Sequence, residues 1–286
     1  MSEQPNYTPP ASKPRISLKA MALTLILVLF NIAVYFYQIA FASPLESRES
    51  NLLLFGANIY QLSLTGDWWR YPISMILHSD AMHIGFNSLA LLVIGIECER
   101  VYGKFKLLSI YIISGVGAAL FSAYWQYQES LKAVDSFSLY MPINNTVYIT
   151  IGVGASGAIM GLAAASVIYL FKTINSPDVP DIENAKLKRQ LYNIIAMIAL
   201  TLVNGMQSGV DNAAHVGGAV IGALVSLGYV ISAKKSYLID LLITAIAAAL
   251  LIFAIYSISF STDEDLLFER EFIYQEIQKE VTDANQ

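Results

Sequence analysis

The sequence predicts an all-α membrane bundle of seven transmembrane helices. Three observations predict it. Of the 286 residues, 56% are hydrophobic and only 14% are charged. Ordinary soluble domains carry about 25% charged residues, so most of this chain has little charged surface to present to water. Apolar runs near the roughly 20 residues needed to cross a bilayer recur along its length. Its lysines and arginines gather in alternate connections between those runs, the bias that sets orientation in a membrane.

Taken in order, residues 1–19 are polar and proline-rich and are expected to form a cytoplasmic tail. The apolar run after them is longer than a signal-peptide core of about 7 to 15 residues. Spans are expected at 20–42, 73–96, 105–127, 151–171, 190–207, 211–233 and 237–260. The segment 44–71 is too polar to span and too long for a turn. Its Leu52-Leu53-Leu54-Phe55, Trp68 and Trp69 suit the membrane interface. Residues 129–150 form a second external loop.

Lys13, Arg15 and Lys19, then Arg100, Lys104 and Lys106, then Lys172, Lys186, Lys188 and Arg189, and finally Lys234-Lys235 all fall on one side if the N-terminus is cytoplasmic. That arrangement places segment 261–286, with eight acids against Arg270 and Lys279, outside. The expected organisation is a tail (1–19), a six-helix core (20–233), an added seventh helix (237–260) and an acidic external tail (261–286). A net charge of -5 indicates no nucleic-acid partner. The single cysteine, Cys98, excludes an intrachain disulfide and reads as an ordinary thiol. The absence of a convincing internal repeat weakens an inverted-repeat transporter reading.

Polar side chains inside apolar runs carry the functional signal. A histidine within hydrocarbon is expensive and calls for a partner. His215, in Ala214-His215-Val216-Gly217-Gly218, has one in Ser156, of Gly154-Ala155-Ser156-Gly157. A hydroxyl becomes a useful nucleophile when a base takes its proton, and imidazole suits that task near neutrality. Ser156 is expected about one turn into its helix. Gly218 and Gly222 match Gly157 and Gly161 in spacing, so the two helices can approach closely. His83 and Asn87, at i and i+4, share a helix face. Asp211, four residues before His215, is expected to cap that helix rather than to complete a triad.

These pieces resemble the rhomboid family of intramembrane serine proteases. The resemblance rests on Gly154-Ala155-Ser156-Gly157, on Ala214-His215 with Gly218 and Gly222, on His83 with Asn87, on Trp69-Arg70 and on Glu99-Arg100 with Gly103. It covers roughly residues 65 to 230. It implies cleavage of a peptide bond in or next to a substrate transmembrane helix, by a Ser156–His215 dyad with His83 and Asn87 as oxyanion donors, without cofactor or metal. Trp69-Arg70 would brace the external loop, Arg70 also being able to meet lipid phosphate. His78 could serve water supply or loop hydrogen bonding.

One departure is Met160, where many members carry an aromatic against the histidine. The expected partners are transmembrane-protein substrates and the lipid bilayer. The expected setting is a bacterial inner membrane, with N-terminus cytoplasmic and C-terminus external. The alternative is a non-proteolytic quality-control relative, a class that lacks the serine or the histidine. A proton or metal channel is disfavoured, because three histidines without clustered carboxylates or thiols make a poor metal site.

Overall fold

Without water to satisfy it, backbone in hydrocarbon must pair within its own segment, and the apolar runs accordingly form helices. The structure, a computed structural model, describes residues 18–44, 47–137, 150–205, 210–232 and 236–284. Lys13, Arg15, Lys234, Lys235 and residues 138–149 of the expected external loop lie outside the described residues. A 3-10 turn (Leu18–Ala20) leads into α1 (Ala22–Phe41). Then come α2 (Arg48–Phe55), α3 (Tyr60–Ser63), α4 (Arg70–Ser74), α5 (Ala81–Phe137), α6 (Ser156–Ile174), α7 (Asp181–Asn204), α8 (Asn212–Ser232), α9 (Tyr237–Ile258) and α10 (Glu264–Ala284).

Five described helices are long and apolar enough to cross a membrane, namely α1, α5, α6, α8 and α9. Helix α5 holds two of the expected spans, one on each side of Gly103, whose φ of 76° and ψ of 169° interrupt the helix. Only glycine takes such a backbone conformation without strain. The expected span 190–207 falls mostly within α7, which misses the same measure because Lys188 and Arg189 extend its polar first half into the apolar stretch.

Helix α6 forms the centre. It packs mainly on α8 and α5 and buries every residue from Gly157 to Ser166. Helix α1 lies against α5 and presents buried polar residues at seven-residue spacing, Thr24 and Asn31 to α5 and Gln38 to the turn before it. Glu99 accepts from the Leu23 N–H (3.0 Å), the Thr24 N–H (2.8 Å) and the Thr24 hydroxyl (2.8 Å). Asn31 donates to the Tyr111 hydroxyl, and the Gln38 amide pairs with the backbone of His78 in both directions. Lipid is as apolar as leucine, so between membrane helices such polar contacts supply specific attraction that burial cannot. Glu99 also places negative charge at a helix N-terminus, where free N–H groups and the dipole favour it.

Helix α9 buries no residue. It is tied to the core by a Lys106–Asp240 ion pair (3.0 Å) and a Tyr229–Thr244 hydroxyl contact (2.6 Å).

The described residues of segment 44–71 form a packed unit around α2, α3 and the start of α4. Trp69-Arg70 braces it as expected, but Arg70 does not face lipid phosphate. It is 4% exposed, because its guanidinium is consumed by Asp67 and by the carbonyls of Leu53 and Ala57. The acidic segment 261–286 was read from composition as a tail, but its residues 264–284 form α10. Leu266 and Ile273 are buried and Tyr274 and Ile277 partly so, a stripe at helical spacing that docks on the 44–71 unit.

Replacing Glu99 with Gln removes the charge from three donated bonds. A hydrogen bond to a charged group contributes about 1 kcal/mol more than a neutral one, so over the three bonds purified E99Q should lose about 3 kcal/mol of stability, seen as a lower midpoint of unfolding in detergent. An unchanged midpoint would show that the carboxylate does not hold α1.

Candidate active site

Ser156 is the first residue of α6, not one turn inside it. The helix cannot begin earlier because Gly154 sits at φ +115°. As a first-turn residue, Ser156 presents a backbone N–H with no intrahelical acceptor. Gly154 in turn donates its N–H to Ser74 O (2.9 Å), at the end of α4.

His215 stands on α8, 5% exposed. Its Nε2 lies 2.9 Å from Ser156 Oγ. The helix contact that makes this distance possible is backbone on backbone. A Cβ on Gly218 would collide with the carbonyl of Gly157, one on Gly222 with Gly161, and one on Gly161 with Ser114. A Cβ on Gly157 would fall 2.6 Å from Ala118 Cβ.

His83 and Asn87, on α5, converge on the same place. A Cβ on Gly154 would stand 2.6 Å from His83 Nε2 and 3.4 Å from Asn87 Nδ2. The other face of His83 is tethered: Ser79 Oγ lies 3.0 Å from its Nδ1 and donates to Asp80 Oδ2, while Asp80 Oδ1 accepts the His83 N–H. His83 Nε2 and Asn87 Nδ2, two potential donors, therefore stand against Gly154, two residues before Ser156 and its free N–H. A cavity of about 30 Å³ adjoins it, lined by Asn58, Ser74, Gly154, Ser156, Asp211 and Ala214 among others. That volume admits water.

Residues 65–233 match the family model described as Rhomboid domain. Over its whole length the chain is 67% identical to Rhomboid protease AarA of Providencia stuartii, covering all of both chains. The chain belongs to the rhomboid family. It is also 30% identical to Rhomboid protease GluP of Bacillus subtilis, across 81% of this chain and 40% of that protein. RHOMBOID-like protein 4 of Arabidopsis thaliana is 32% identical, across 64% of this chain and 39% of its own length.

In this rhomboid Ser156 and His215 are in hydrogen-bond contact, and His83 and Asn87 lie against Gly154. Asp211 behaves as a cap: Oδ1 accepts the Ala214 N–H (2.9 Å), and Oδ2 takes the hydroxyl of Ser122 (2.5 Å). His215 Nδ1 makes no hydrogen bond among the described residues. His78 is 1% exposed, its ring 5.2 Å from that of His83, so it is a buried neighbour of the site and not an interfacial histidine. Met160 is buried. Cys98 is an enclosed thiol against Leu162 O and Ser166.

Sequence reasoning missed Ser79 and Asp80, which orient His83, and the Gln126–Ser122–Asp211 chain. Both left signals. Asp80 precedes a helix at a capping position, and Ser122 with Gln126 forms a polar i, i+4 pair within an apolar run.

Asp211→Asn keeps the cap and removes the charge. Turnover should fall by less than about tenfold, whereas a triad aspartate costs about 10,000-fold on this change. A loss of the larger size in folded protein would make Asp211 part of the catalytic unit.

Proposed function

We propose that this rhomboid, an intramembrane serine protease, uses Ser156 as nucleophile and His215 as general base. The observation that carries the assignment is the 2.9 Å contact between Ser156 Oγ and His215 Nε2 inside an apolar bundle. His215 Nε2 accepts the serine proton as Oγ attacks the scissile carbonyl. It then passes that proton to the leaving amine, and a water repeats the sequence on the acyl-enzyme.

Asn87 Nδ2 and the Ser156 N–H donate to the developing oxyanion. His83 adds its Nε2–H in the Nε2-protonated tautomer, with Nδ1 facing Ser79 Oγ. Each such donor is worth about 100- to 1,000-fold in rate. Because the site is buried among helices, the substrate is a transmembrane segment of a membrane protein, locally unwound to expose a carbonyl that helical hydrogen bonding hides.

Ser156→Ala and His215→Ala should each abolish cleavage of a reporter transmembrane substrate while leaving the protein folded. A fluorophosphonate probe should label the parent at Ser156 and label neither variant. Full cleavage by either variant would remove the assignment.

The distribution of basic residues supports a cytoplasmic N-terminus and an external C-terminus in a bacterial inner membrane. A reporter fused after Gln286 is expected to be active only outside. Activity inside would reverse the orientation of α9 and α10.

A further inference from the structure

The amphipathic helix α10 has no part in the chemistry above, yet it packs with Ile151, five residues before Ser156. Two of its polar residues, Arg270 and Tyr274, converge on one buried carboxylate, Asp67, which is 6% exposed. The Tyr274 hydroxyl donates to Asp67 Oδ2 (2.6 Å), and Arg270 Nη2 lies 3.6 Å from Oδ1. Asp67 Oδ2 also takes the Nε–H of Arg70 (2.9 Å), the first residue of α4.

Four residues later on α4, the carbonyl of Ser74 accepts the N–H of Gly154. Arg70 Nη1 additionally donates to Leu53 O (2.9 Å) and Ala57 O (3.1 Å). The next residue, Asn58, exchanges backbone hydrogen bonds with Gly152 in both directions, at 3.0 and 2.7 Å. Two short hydrogen-bonded paths therefore lead from α10 through Asp67 and Arg70 to the strand-like approach to the serine.

The hinge before α10 is stitched to the same unit. Tyr71 on α4 shares a 2.7 Å contact with Ser259, and the Ser261 N–H donates to Leu64 O (2.8 Å).

We propose that α10 is a positioning clamp for the catalytic serine, acting through Arg270 and Tyr274 on the Asp67–Arg70 pair. Its tether to α4 fixes where Gly154, and with it the Ser156 N–H, lies relative to His83 and Asn87. Such a clamp serves the transition state more than substrate binding, because the oxyanion forms only during attack. Misplacement of about 1 Å at a reacting group can cost about 100-fold. Arg270 and Tyr274 are positioning residues and touch no reacting atom. The proposal rests on the Ser156 chemistry above.

The experiment uses the full chain in liposomes with a reporter transmembrane substrate. It compares Arg270→Gln with Tyr274→Phe, singly and together, with Arg270→Lys, and with a chain ending at Thr262. In the double variant kcat is expected to fall about tenfold with KM within about twofold of the parent. The unfolding midpoint of the bundle should be retained, and fluorophosphonate labelling of Ser156 slowed in parallel. Arg270→Lys, which keeps the cation, should recover most of the loss.

Unchanged kcat in the double variant would overturn the clamp. So would a change confined to KM, a loss that Arg270→Lys does not recover, or a double variant that unfolds, since each would make α10 a substrate-contact or stability element. The truncated chain should match or exceed the double variant's loss, and full activity in it would likewise overturn the proposal. Ser156→Ala, run in parallel, separates the two readings: its inactivity upholds the serine whatever the clamp result.

Discussion

The close approach of α6 and α8 is the constraint on which the rest depends. Gly157 and Gly161 face Gly218 and Gly222 so tightly that no β-carbon fits between the two backbones. Only at that separation can a short serine hydroxyl on one helix reach an imidazole nitrogen on the other. In water, burial of larger side chains would outweigh such a contact. In lipid, where apolar burial offers no gain, van der Waals contact between flat glycine faces becomes a principal attraction between helices. Packing and catalytic geometry here arise from the same glycines.

A second consequence of the solvent is that polar groups attach the peripheral helices. Helix α1 is joined through Thr24, Asn31 and Gln38, and α9 through Asp240 and Thr244. A buried polar group in hydrocarbon must find a partner, so each of these contacts has a defined register that a leucine stripe would not impose. The external unit follows the same logic with arginine. Arg70 satisfies two carbonyls and a carboxylate at once, which turns the irregular backbone of segment 44–71 into a fixed platform beside the serine.

Much of the site was legible from the sequence because histidine and asparagine are anomalous in apolar helices. Ser156, His215, His83 and Asn87 stood out for that reason, and their spacing placed each on a helix face. The supporting groups were less legible. Ser79, Asp80, Ser122 and Gln126 are ordinary at helix ends and interfaces, and their significance comes from which distant residue they meet. Arg70 was read as free to reach lipid because its partners lie in a loop whose folding has no periodic signal. Helix α10 was read as a tail because the eight acids of segment 261–286 mask a stripe at 266, 270, 273, 274 and 277.

By itself, the sequence determined the all-α membrane class, most of the spans, the glycine faces and the pairing of Ser156 with His215. Those properties follow from local composition and helical period, which hydrocarbon enforces strictly by forbidding unpaired backbone. Only the tertiary structure decided that α6 starts at Ser156, that Asp211 also takes the hydroxyl of Ser122, and that the C-terminal helix docks on the Asp67–Arg70 pair. Each of those depends on a turn or on a partner far away in the chain. A left-handed glycine, a cross-helix hydrogen bond and a buried ion pair are decided by where neighbouring elements come to rest, and no periodicity in a linear sequence encodes that.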